Sequence, residues 1–304
     1  MGKATVVRSG AVVLVSLVAA AASPSDGGKT APGKGAARPF FVHISDTHIA
    51  KDPGAIVYKQ VPNANAARAV AMIGSLSPAP REVIVTGDLA CNKGSEEEYR
   101  QYQGVLAPLT MTVRHLMGNH DDYAAFWKVV LKGKNEQDPV PPGGSPSAGY
   151  RYKQAWDWDK DWRFLSISTL NPGVTSGEVG KAQMDWLEQE AMAAKDRNVA
   201  LFMHHHPLRS DKPGIADADA MKAALQRHPN IRAVFFGHMH ILSLAQDGPL
   251  HLICAPSCSY GHVPGNVNAL GFLLVTPEPA AFTVKFVTLD DKQAEKEFER
   301  RLSW

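Results

Sequence analysis

Short apolar runs alternate with stretches of helical periodicity from Phe40 onward, and this alternation restricts the fold more than any other feature of the sequence. The apolar runs predict strands over Phe40–Ser45, Glu82–Thr86, Thr112–Met117, Arg163–Ser168, Val199–Met203, Arg232–Phe236, Leu250–Cys254, Gly271–Thr276 and Thr283–Thr288. Apolar residues at three- and four-residue spacing predict helices over Asn65–Leu76, Ser95–Leu106, Asp121–Leu131, Lys181–Ala194 and Ala216–Arg227. This order predicts an α/β fold with a mixed sheet or two sheets in one domain.

Three other segments carry weaker patterns. The charged stretch Asp290–Leu302 predicts a solvated terminal helix, and the Pro- and Gly-rich stretch Lys132–Ser147 predicts a long surface loop. A hairpin is predicted around Asp157–Asp161, where aromatic residues favour packing over substrate binding; it carries Trp156, Trp158 and Trp162.

Five of the predicted strands are followed by clusters of Asp, Asn, His and Gly. The clusters are Asp46-Thr47-His48, Gly87-Asp88, Gly118-Asn119-His120-Asp121, His204-His205-His206-Pro207 and Gly237-His238-Met239-His240. Because open α/β sheets bind ligands at the carboxyl ends of their strands, we expect the five clusters to share one site. His43 and His115 lie inside predicted strands and are expected to pack in the core instead.

The side chains of these clusters are of the kinds that bind metal ions. The chain has twelve His but only three Cys, and Asp, Asn and His ligands suit zinc, manganese or iron rather than a structural thiolate site. The ligand-type side chains are too numerous for one tetrahedral ion, so two ions sharing a carboxylate are expected. Paired ions about 3.5–4 Å apart promote in-line displacement at phosphorus.

The motifs D-x-H, G-D, G-N-H-D, a His before Pro, and G-H-x-H occur in this order between Asp46 and His240. On these motifs the sequence resembles the calcineurin-like metallophosphoesterases. The resemblance implies a four-layer α/β/β/α sandwich of two mixed sheets, with a centre of two divalent or trivalent ions (Mn, Fe or Zn) at the edge of the sheets. It also implies a phosphoric ester hydrolase that acts on a phosphate mono- or diester.

The resemblance carries ligand roles to individual positions. The residues implied for the first ion are Asp46, His48, Asp88 and His240. Those implied for the second ion, with Asp88 bridging, are Asp88, Asn119, His205 and His238. His205 is chosen among three consecutive histidines because the family's ligand stands two residues before a proline, here Pro207, and His204 is expected to point into the sheet.

The resemblance also implies roles in the reaction. A hydroxide bridging the two ions would attack phosphorus, and His120 would donate a proton to the leaving oxygen or stabilise the charged transition state. Asp121 would orient His120 by accepting a hydrogen bond from its ring. His206 and His262 are candidates for contact with the substrate.

The position of one cysteine helps to distinguish between branches of the family. Cys91 stands three positions after Asp88, where purple acid phosphatases carry a Tyr ligand, and this difference disfavours an iron-tyrosinate centre. The residues around Asp88 and Asn119 are more similar to the class III cyclic-nucleotide phosphodiesterases. Cys254 and Cys258 would form a short disulfide after export or remain free thiols.

Other functional classes are less consistent with the sequence. A formal net charge of +2 offers no basic stripe, so a nuclease is disfavoured, nucleic acid is not expected as a partner, and a small-molecule phosphoester is the expected substrate. A relative that binds metal without catalysis is disfavoured by the presence of His120. The oligomeric state stays open.

The N-terminal segment has the pattern of a secretory signal. Residues 1–22 combine Lys3 and Arg8 with a short apolar run and a small-residue site at Ala20-x-Ala22. We expect export to the periplasm or medium, cleavage near Ala22 and no stable membrane insertion afterwards. Residues 23–39 would form a flexible linker, 40–290 the metallophosphoesterase domain and 291–304 a charged tail.

Overall fold

The computed structural model describes residues 38–132, 152–211, 213–261, 270–290 and 297–304. Its elements in chain order are β1 (Phe41–Ile44), α1 (Pro62–Gly74), β2 (Glu82–Val85), α2 (Glu96–Leu106), β3 (Thr112–His115), α3 (Tyr123–Val129), β4 (Lys153–Asp157), β5 (Trp162–Ile167), α4 (Lys181–Ala193), β6 (Asn198–Phe202), α5 (Ala218–Arg227), β7 (Ile231–Phe236), β8 (Ser243–Asp247), β9 (Leu250–Cys254), β10 (Gly271–Glu278), β11 (Ala281–Thr288) and β12 (Phe298–Ser303). None of the described helices combines the length and apolar character that a membrane span needs.

The strands form two mixed sheets, as predicted. The first sheet has the order β12-β11-β10-β1-β2-β3 and the second the order β4-β5-β6-β7-β9-β8. Strands β1, β2 and β3 are parallel, as are β5, β6, β7 and β9, whereas the remaining neighbours pair antiparallel. The parallel part of each sheet therefore presents several strand carboxyl ends at one edge, where ligands of α/β sheets bind.

Aromatic side chains fill the space between the two sheets. Phe41 of β1 makes edge-to-face contacts with Phe164, Phe202 and Phe235 of the second sheet, at ring-centroid distances of 5.5–5.6 Å. Helices α1, α2 and α3 pack on the first sheet and α4 and α5 on the second. The predicted α/β/β/α layering is confirmed, and the interlocked aromatic layer fixes the two sheets against each other.

Apart from the C-terminal segment, the predicted helices and strands are present with boundaries shifted by at most three residues, and the hairpin before β5 is also confirmed. Trp158 and Trp162 are buried between the sheets, so these aromatic residues pack, as expected. His43 is buried with its Nε2 2.9 Å from Thr86 Oγ1, and His115 Nδ1 lies 2.8 Å from the hydroxyl of Tyr102. Both histidines are structural.

One predicted element is wrong. The terminal helix over Asp290–Leu302 is not formed at its end, because Phe298–Ser303 is strand β12, paired antiparallel with β11. Phe298 packs on Phe286 with ring centroids 6.1 Å apart, and Trp304 packs on Trp162 at 5.5 Å. Burial of these aromatic rings outweighs the charge of the segment. Except for Lys132, the predicted loop Lys132–Ser147 lies outside the described residues.

Candidate metal centre

The five polar clusters meet at the common edge of the two sheets. They begin within three residues of the ends of strands β1, β2 and β3 of the first sheet and β6 and β7 of the second. The two sheets are joined here, because the carboxylate Oδ2 of Asp46 accepts a hydrogen bond of 3.0 Å from the backbone N–H of His238. A Cβ at Gly237 would collide with Ser45 Oγ. The glycine of the G-H-x-H motif therefore permits close approach of the two sheets.

Four of the predicted ligands form one tight group. Nε2 of His48 lies 3.0 Å from Nε2 of His240, and Nε2 of His240 lies 3.3 Å from Asp46 Oδ1. Nε2 of His48 also lies 3.5 Å from Asp88 Oδ2. Four side chains thus direct nitrogen and oxygen atoms at the same small volume, which is the arrangement of a metal site.

A second group lies on the other side of Asp88. Oδ1 of Asp88 lies 3.3 Å from Nε2 of His204, and the rings of His204 and His238 have centroids 5.1 Å apart. Asn119 lines the same cavity as Asp88 and His238. Asp88 lies between the two groups, where the sequence predicts a bridging carboxylate.

The structure corrects the expectation for His204, which does not point away from the site. Its Nδ1 donates a hydrogen bond of 2.7 Å to the carbonyl of Thr86, so Nε2 is left to face Asp88. This is the orientation of a metal-binding histidine, whose other nitrogen is fixed by a backbone carbonyl.

His205, predicted as the ligand, uses both ring nitrogens elsewhere. Its Nδ1 lies 2.7 Å from Thr169 Oγ1, and its Nε2 lies 3.0 Å from the carbonyl of Thr175. Its ring remains close to His238, with centroids 4.5 Å apart. His205 still offers a nitrogen within 4.8 Å of ligand atoms of His204 and His238, but its hydrogen bonds to Thr169 and Thr175 favour His204 as the ligand that faces Asp88.

Unsatisfied polar atoms test whether these residues fit a metal ion. Among the described residues, the buried side-chain atoms without a hydrogen-bond partner include Asp46 Oδ1, Asn119 Oδ1 and His204 Nε2. Such atoms are costly to bury and are rare in native proteins. Their presence on three ligand candidates fits a site built around cations, and the donor set of carboxylate, amide and imidazole suits Mn, Fe or Zn.

The backbone is strained at the same positions. Five ligand candidates have φ angles between 40° and 65°, namely Asp46, His48, Asp88, His238 and His240. This left-handed conformation costs about 1–2 kcal/mol for a residue with a Cβ, and Asp bears it more easily than His. Strain of this kind persists where a functional geometry is imposed by the surrounding fold.

Burial and neighbouring charges shift the pKa values of the group. Burial alone would raise the pKa of Asp88, but the adjacent His204, His48 and His120 outweigh it and hold this pKa well below its ordinary value. Burial would lower the pKa of His204, yet Asp88 and Asp46 outweigh it and raise the pKa to about 9. For His48, burial dominates and lowers the pKa to about 3. Asp88 therefore remains a carboxylate, the form that binds metal ions.

His120 stands beside this group with a defined orientation. Its Nδ1 donates a hydrogen bond of 3.0 Å to the carbonyl of Cys91, and its backbone N–H donates to Asp88 Oδ1 at 2.9 Å. Its ring meets the ring of His48 edge-on, with centroids 4.8 Å apart. The neutral ring therefore carries its proton on Nδ1, and His120 lines the cavity.

The predicted role of Asp121 is wrong. Its carboxylate does not accept from the His120 ring; it accepts hydrogen bonds from the backbone N–H groups of Gly118, Leu89 and Ala90 and from the hydroxyl of Tyr99, at 2.8–3.2 Å. Burial, and next the charge of Asp88, raise the pKa of Asp121 to about 7, against the lowering effect of the backbone hydrogen bonds. Asp121 thus ties together the loops after β2 and β3.

The cavity at the metal centre has a volume of about 400 Å³. Its lining includes four residues that the sequence did not single out, Tyr58, Thr175, Pro213 and Tyr260. The sequence has no local pattern that marks these four residues, because they lie in loops that approach the site only in the tertiary fold.

One of the two residues predicted to contact the substrate lies within the described residues. His206 packs its ring on Phe236 with centroids 4.9 Å apart, and its Nδ1 accepts a hydrogen bond of 3.1 Å from the backbone N–H of Leu208. The described lining of the cavity does not include His206, and its contact with the substrate stays a prediction. His262 lies outside the described residues. Cys91, Cys254 and Cys258 are free thiols.

Comparison with known proteins gives an independent view of this centre. A model of the calcineurin-like phosphoesterase family matches residues 41–242. The glycerophosphodiester phosphodiesterase GpdQ of Enterobacter lignolyticus is 32% identical over 212 residues, which cover 68% of this chain and 73% of that protein. The 3′,5′-cyclic adenosine monophosphate phosphodiesterase CpdA of Pseudomonas aeruginosa is 24% identical over 232 residues, with coverage of 75% and 79%.

A solved structure confirms the fold. The dimetal phosphatase from Danio rerio superposes with a TM-score of 0.65 at 13% identity, and the match covers 88% of this chain and 99% of that one. At this level of identity the likeness concerns the arrangement of sheets and helices.

Proposed function

The chain belongs to the calcineurin-like phosphoesterase family, and from this premise we propose that it hydrolyses small phosphodiesters at a centre of two metal ions. The observation that carries the proposal is the convergence of buried, unsatisfied ligand atoms on both sides of Asp88. A diester is favoured over a monoester because relatives that match most of the chain are named as phosphodiesterases, one of glycerophosphodiesters and one of cyclic adenosine monophosphate.

The side chains suited to hold the ions fall into two sets that share Asp88. The first set is Asp46, His48, Asp88 and His240, and the second is Asp88, Asn119, His204 and His238. When bound, the ions would supply Lewis acidity and would lower the pKa of a coordinated water to near 7. Mn, Fe and Zn all suit these ligands.

His120 is the group of this chain suited to proton transfer. Because Nδ1 is occupied by the carbonyl of Cys91, the imidazolium form donates its transferable proton from Nε2. This proton would pass to the oxygen of the departing alcohol, or its charge would stabilise the transition state. The contact between its backbone N–H and Asp88 keeps His120 beside the phosphorus site.

The remaining residues hold this geometry. Asp121 fixes the loops that carry Asp88 and Asn119 through three backbone N–H groups. The carbonyls of Thr86 and Tyr260 accept from Nδ1 of His204 and His240, and thereby direct both Nε2 atoms at carboxylates. Preorganisation of this kind lowers the cost of binding and of reaction.

A small substrate fits the site better than a nucleic acid does. The described residues lining the cavity include no Lys or Arg, and a nucleic-acid channel would require such charges along its length.

Export is a second part of the proposal. It is supported by the charged start, short apolar run and Ala20-x-Ala22 site within residues 1–22. Mass spectrometry of the protein recovered from a host periplasm should give a chain that begins near Ser23. A full-length chain retained in the cytosol would contradict this part of the proposal and leave the chemistry untouched.

Turnover of two generic esters tests the chemistry. We expect purified protein with Mn²⁺ to hydrolyse bis(4-nitrophenyl) phosphate faster than 4-nitrophenyl phosphate, and expect a chelator to abolish both reactions. Readdition of Mn²⁺ should restore them. Absence of metal-dependent turnover of either ester contradicts the enzyme assignment, and a faster reaction of the monoester contradicts the diester preference.

A further inference from the structure

A tight turn at residues 57–60 holds Tyr58 in a conformation that bulky side chains rarely adopt. Tyr58 and Lys59 have φ angles of 47° and 65°, in the left-handed region that Asn or Gly occupies with less strain. Backbone hydrogen bonds in both directions between Val57 and Gln60, of 2.8 and 2.9 Å, close the turn. The side chain of Gln60 donates to the carbonyl of Gly261 at 3.2 Å. The turn alone does not require an aromatic ring at position 58.

The ring of Tyr58 continues a series of rings that begins at the metal centre. Tyr260 lies with its ring centroid 4.7 Å from His48 and 5.0 Å from His240. Tyr58 lies 5.6 Å from Tyr260, with the ring planes 36° apart. Tyr260 is buried and Tyr58 is 64% exposed, so the two tyrosines, here called the aromatic wall, extend from the ligand candidates to the mouth of the cavity.

The lining of the cavity divides the substrate into two parts. The phosphate belongs at the carboxylate and imidazole groups around Asp88, whereas the group esterified to it would meet other parts of the lining, which include the aromatic wall. A flat ring would bury its face against the aromatic wall, whereas a polyol has no such face to bury.

We propose that the aromatic wall binds a planar aromatic group of the substrate by stacking. Tyr58 is then a specificity-determining residue, and the site prefers phosphoesters that carry a nucleobase or aryl ring over those that carry glycerol. Stacking on a tyrosine requires only a π-face, so both kinds of ring are accepted. The inference rests on the proposed function, because it places the phosphate at the metal centre.

Equilibrium binding tests the inference without requiring turnover. The probes are adenosine 5′-monophosphate, phenyl phosphate and glycerol 3-phosphate, each titrated calorimetrically into the full-length protein loaded with Mn²⁺. Tyr58→Asn removes the ring and preserves the turn, because Asn tolerates a positive φ. We expect it to weaken binding of the nucleotide and of phenyl phosphate about tenfold, and of glycerol 3-phosphate less than twofold.

A matched control variant makes the result specific. Tyr58→Phe keeps the stacking face and should bind all three probes within about twofold of the unmodified protein. Equal weakening of all probes by Tyr58→Asn would overturn the inference, as would unchanged binding of both the nucleotide and phenyl phosphate. If only the nucleotide is weakened, the wall selects nucleobases; if only phenyl phosphate is, it selects aryl esters, and either result supports stacking.

A cationic headgroup is the competing occupant, because a quaternary ammonium group also binds tyrosine faces. Phosphocholine serves as the fourth probe. Loss of phosphocholine binding in Tyr58→Asn, with binding of the nucleotide and of phenyl phosphate unchanged, would overturn the inference. Failure of the proposed function would show instead as absent turnover of bis(4-nitrophenyl) phosphate, which is a separate measurement.

Discussion

Nε2 of His204 lies 3.3 Å from Oδ1 of Asp88, and the other nitrogen of the ring donates to the carbonyl of Thr86. This contact places the first of three consecutive histidines, rather than the second, opposite the carboxylate of Asp88. It brings together the ends of β2 and β6, which belong to different sheets. The metal centre therefore depends on how the sheets pack against each other.

Separate substitutions of His204 and His205 test this assignment. We expect His204→Ala to remove one ligand of the second ion, to lower metal content from two ions to about one per chain and to reduce turnover at least about a hundredfold, because paired ions act together on phosphorus. Metal analysis by plasma mass spectrometry and the diester assay measure both effects.

His205→Gln is the matched variant for this comparison, because an amide can still donate to the carbonyl of Thr175. It should retain both ions and change turnover by less than about tenfold. The assignment fails if His205→Gln loses an ion and His204→Ala keeps both.

Removal of the His120 side chain should slow the reaction without emptying the site. We expect His120→Ala to lower kcat about 10²- to 10⁴-fold, the range of general acid–base catalysis, and to bind both ions. The loss should be smaller for bis(4-nitrophenyl) phosphate than for an alkyl diester, since 4-nitrophenolate leaves without a proton. An equal loss for both esters would argue against proton donation, and loss of metal would make His120 a ligand.

Asp121 should matter chiefly for stability. Asp121→Asn replaces an acceptor of several hydrogen bonds by an amide whose NH2 faces backbone N–H donors, so we expect a loss of about 2–3 kcal/mol in the free energy of unfolding. Tyr99→Phe, which removes one hydrogen bond to Asp121, should cost about 1 kcal/mol. Urea titration measures both. If Asp121→Asn left stability unchanged but abolished turnover, Asp121 would have a direct role in catalysis.

The glycine before His238 is expected to be irreplaceable. A Cβ at Gly237 would lie 2.6 Å from Asp46 Oδ2 and would also collide with Ser45, so Gly237→Ala should displace Asp46, release metal and lower the thermal midpoint. Gly104→Ala is the control, because a Cβ at this helical position meets nothing within 4 Å; it should stabilise the protein by about 0.5–1 kcal/mol. Equal tolerance of both substitutions, measured by calorimetry, would contradict the tight joint between the sheets.

Much of this fold is predictable from local patterns. Strand Leu250–Cys254 is a short apolar run that is buried throughout, and helix Ala218–Arg227 buries residues at three- and four-residue spacing, as the sequence pattern predicts. Strand β12 is different, because Arg300 and Arg301 face solvent on an edge strand while Phe298 and Trp304 provide the packing. An edge strand with one half-buried face can be rich in charged residues, and such a composition is also typical of an exposed helix, so the sequence pattern did not distinguish the two.

Most residues of the candidate centre can be predicted from the sequence, but the directions in which their side chains point are harder to predict. The clusters at Asp46, Asp88 and Asn119 begin within three residues of strand ends, so their convergence follows from the parallel order. The strand before the histidine triplet ends at Phe202, and beyond it alternation no longer determines which ring faces Asp88. The roles of His204 and Asp121 depended on contacts with Thr86 and Leu89, and such contacts leave no local signal.

Titration of the metal-free protein with Mn²⁺, followed by turnover of bis(4-nitrophenyl) phosphate, tests the central claim most directly. Protein stripped by a chelator should be inactive, and activity should rise with added metal until it saturates at two equivalents per chain. Saturation at one equivalent, or turnover in the stripped protein, would contradict a centre built from two metal ions around Asp88.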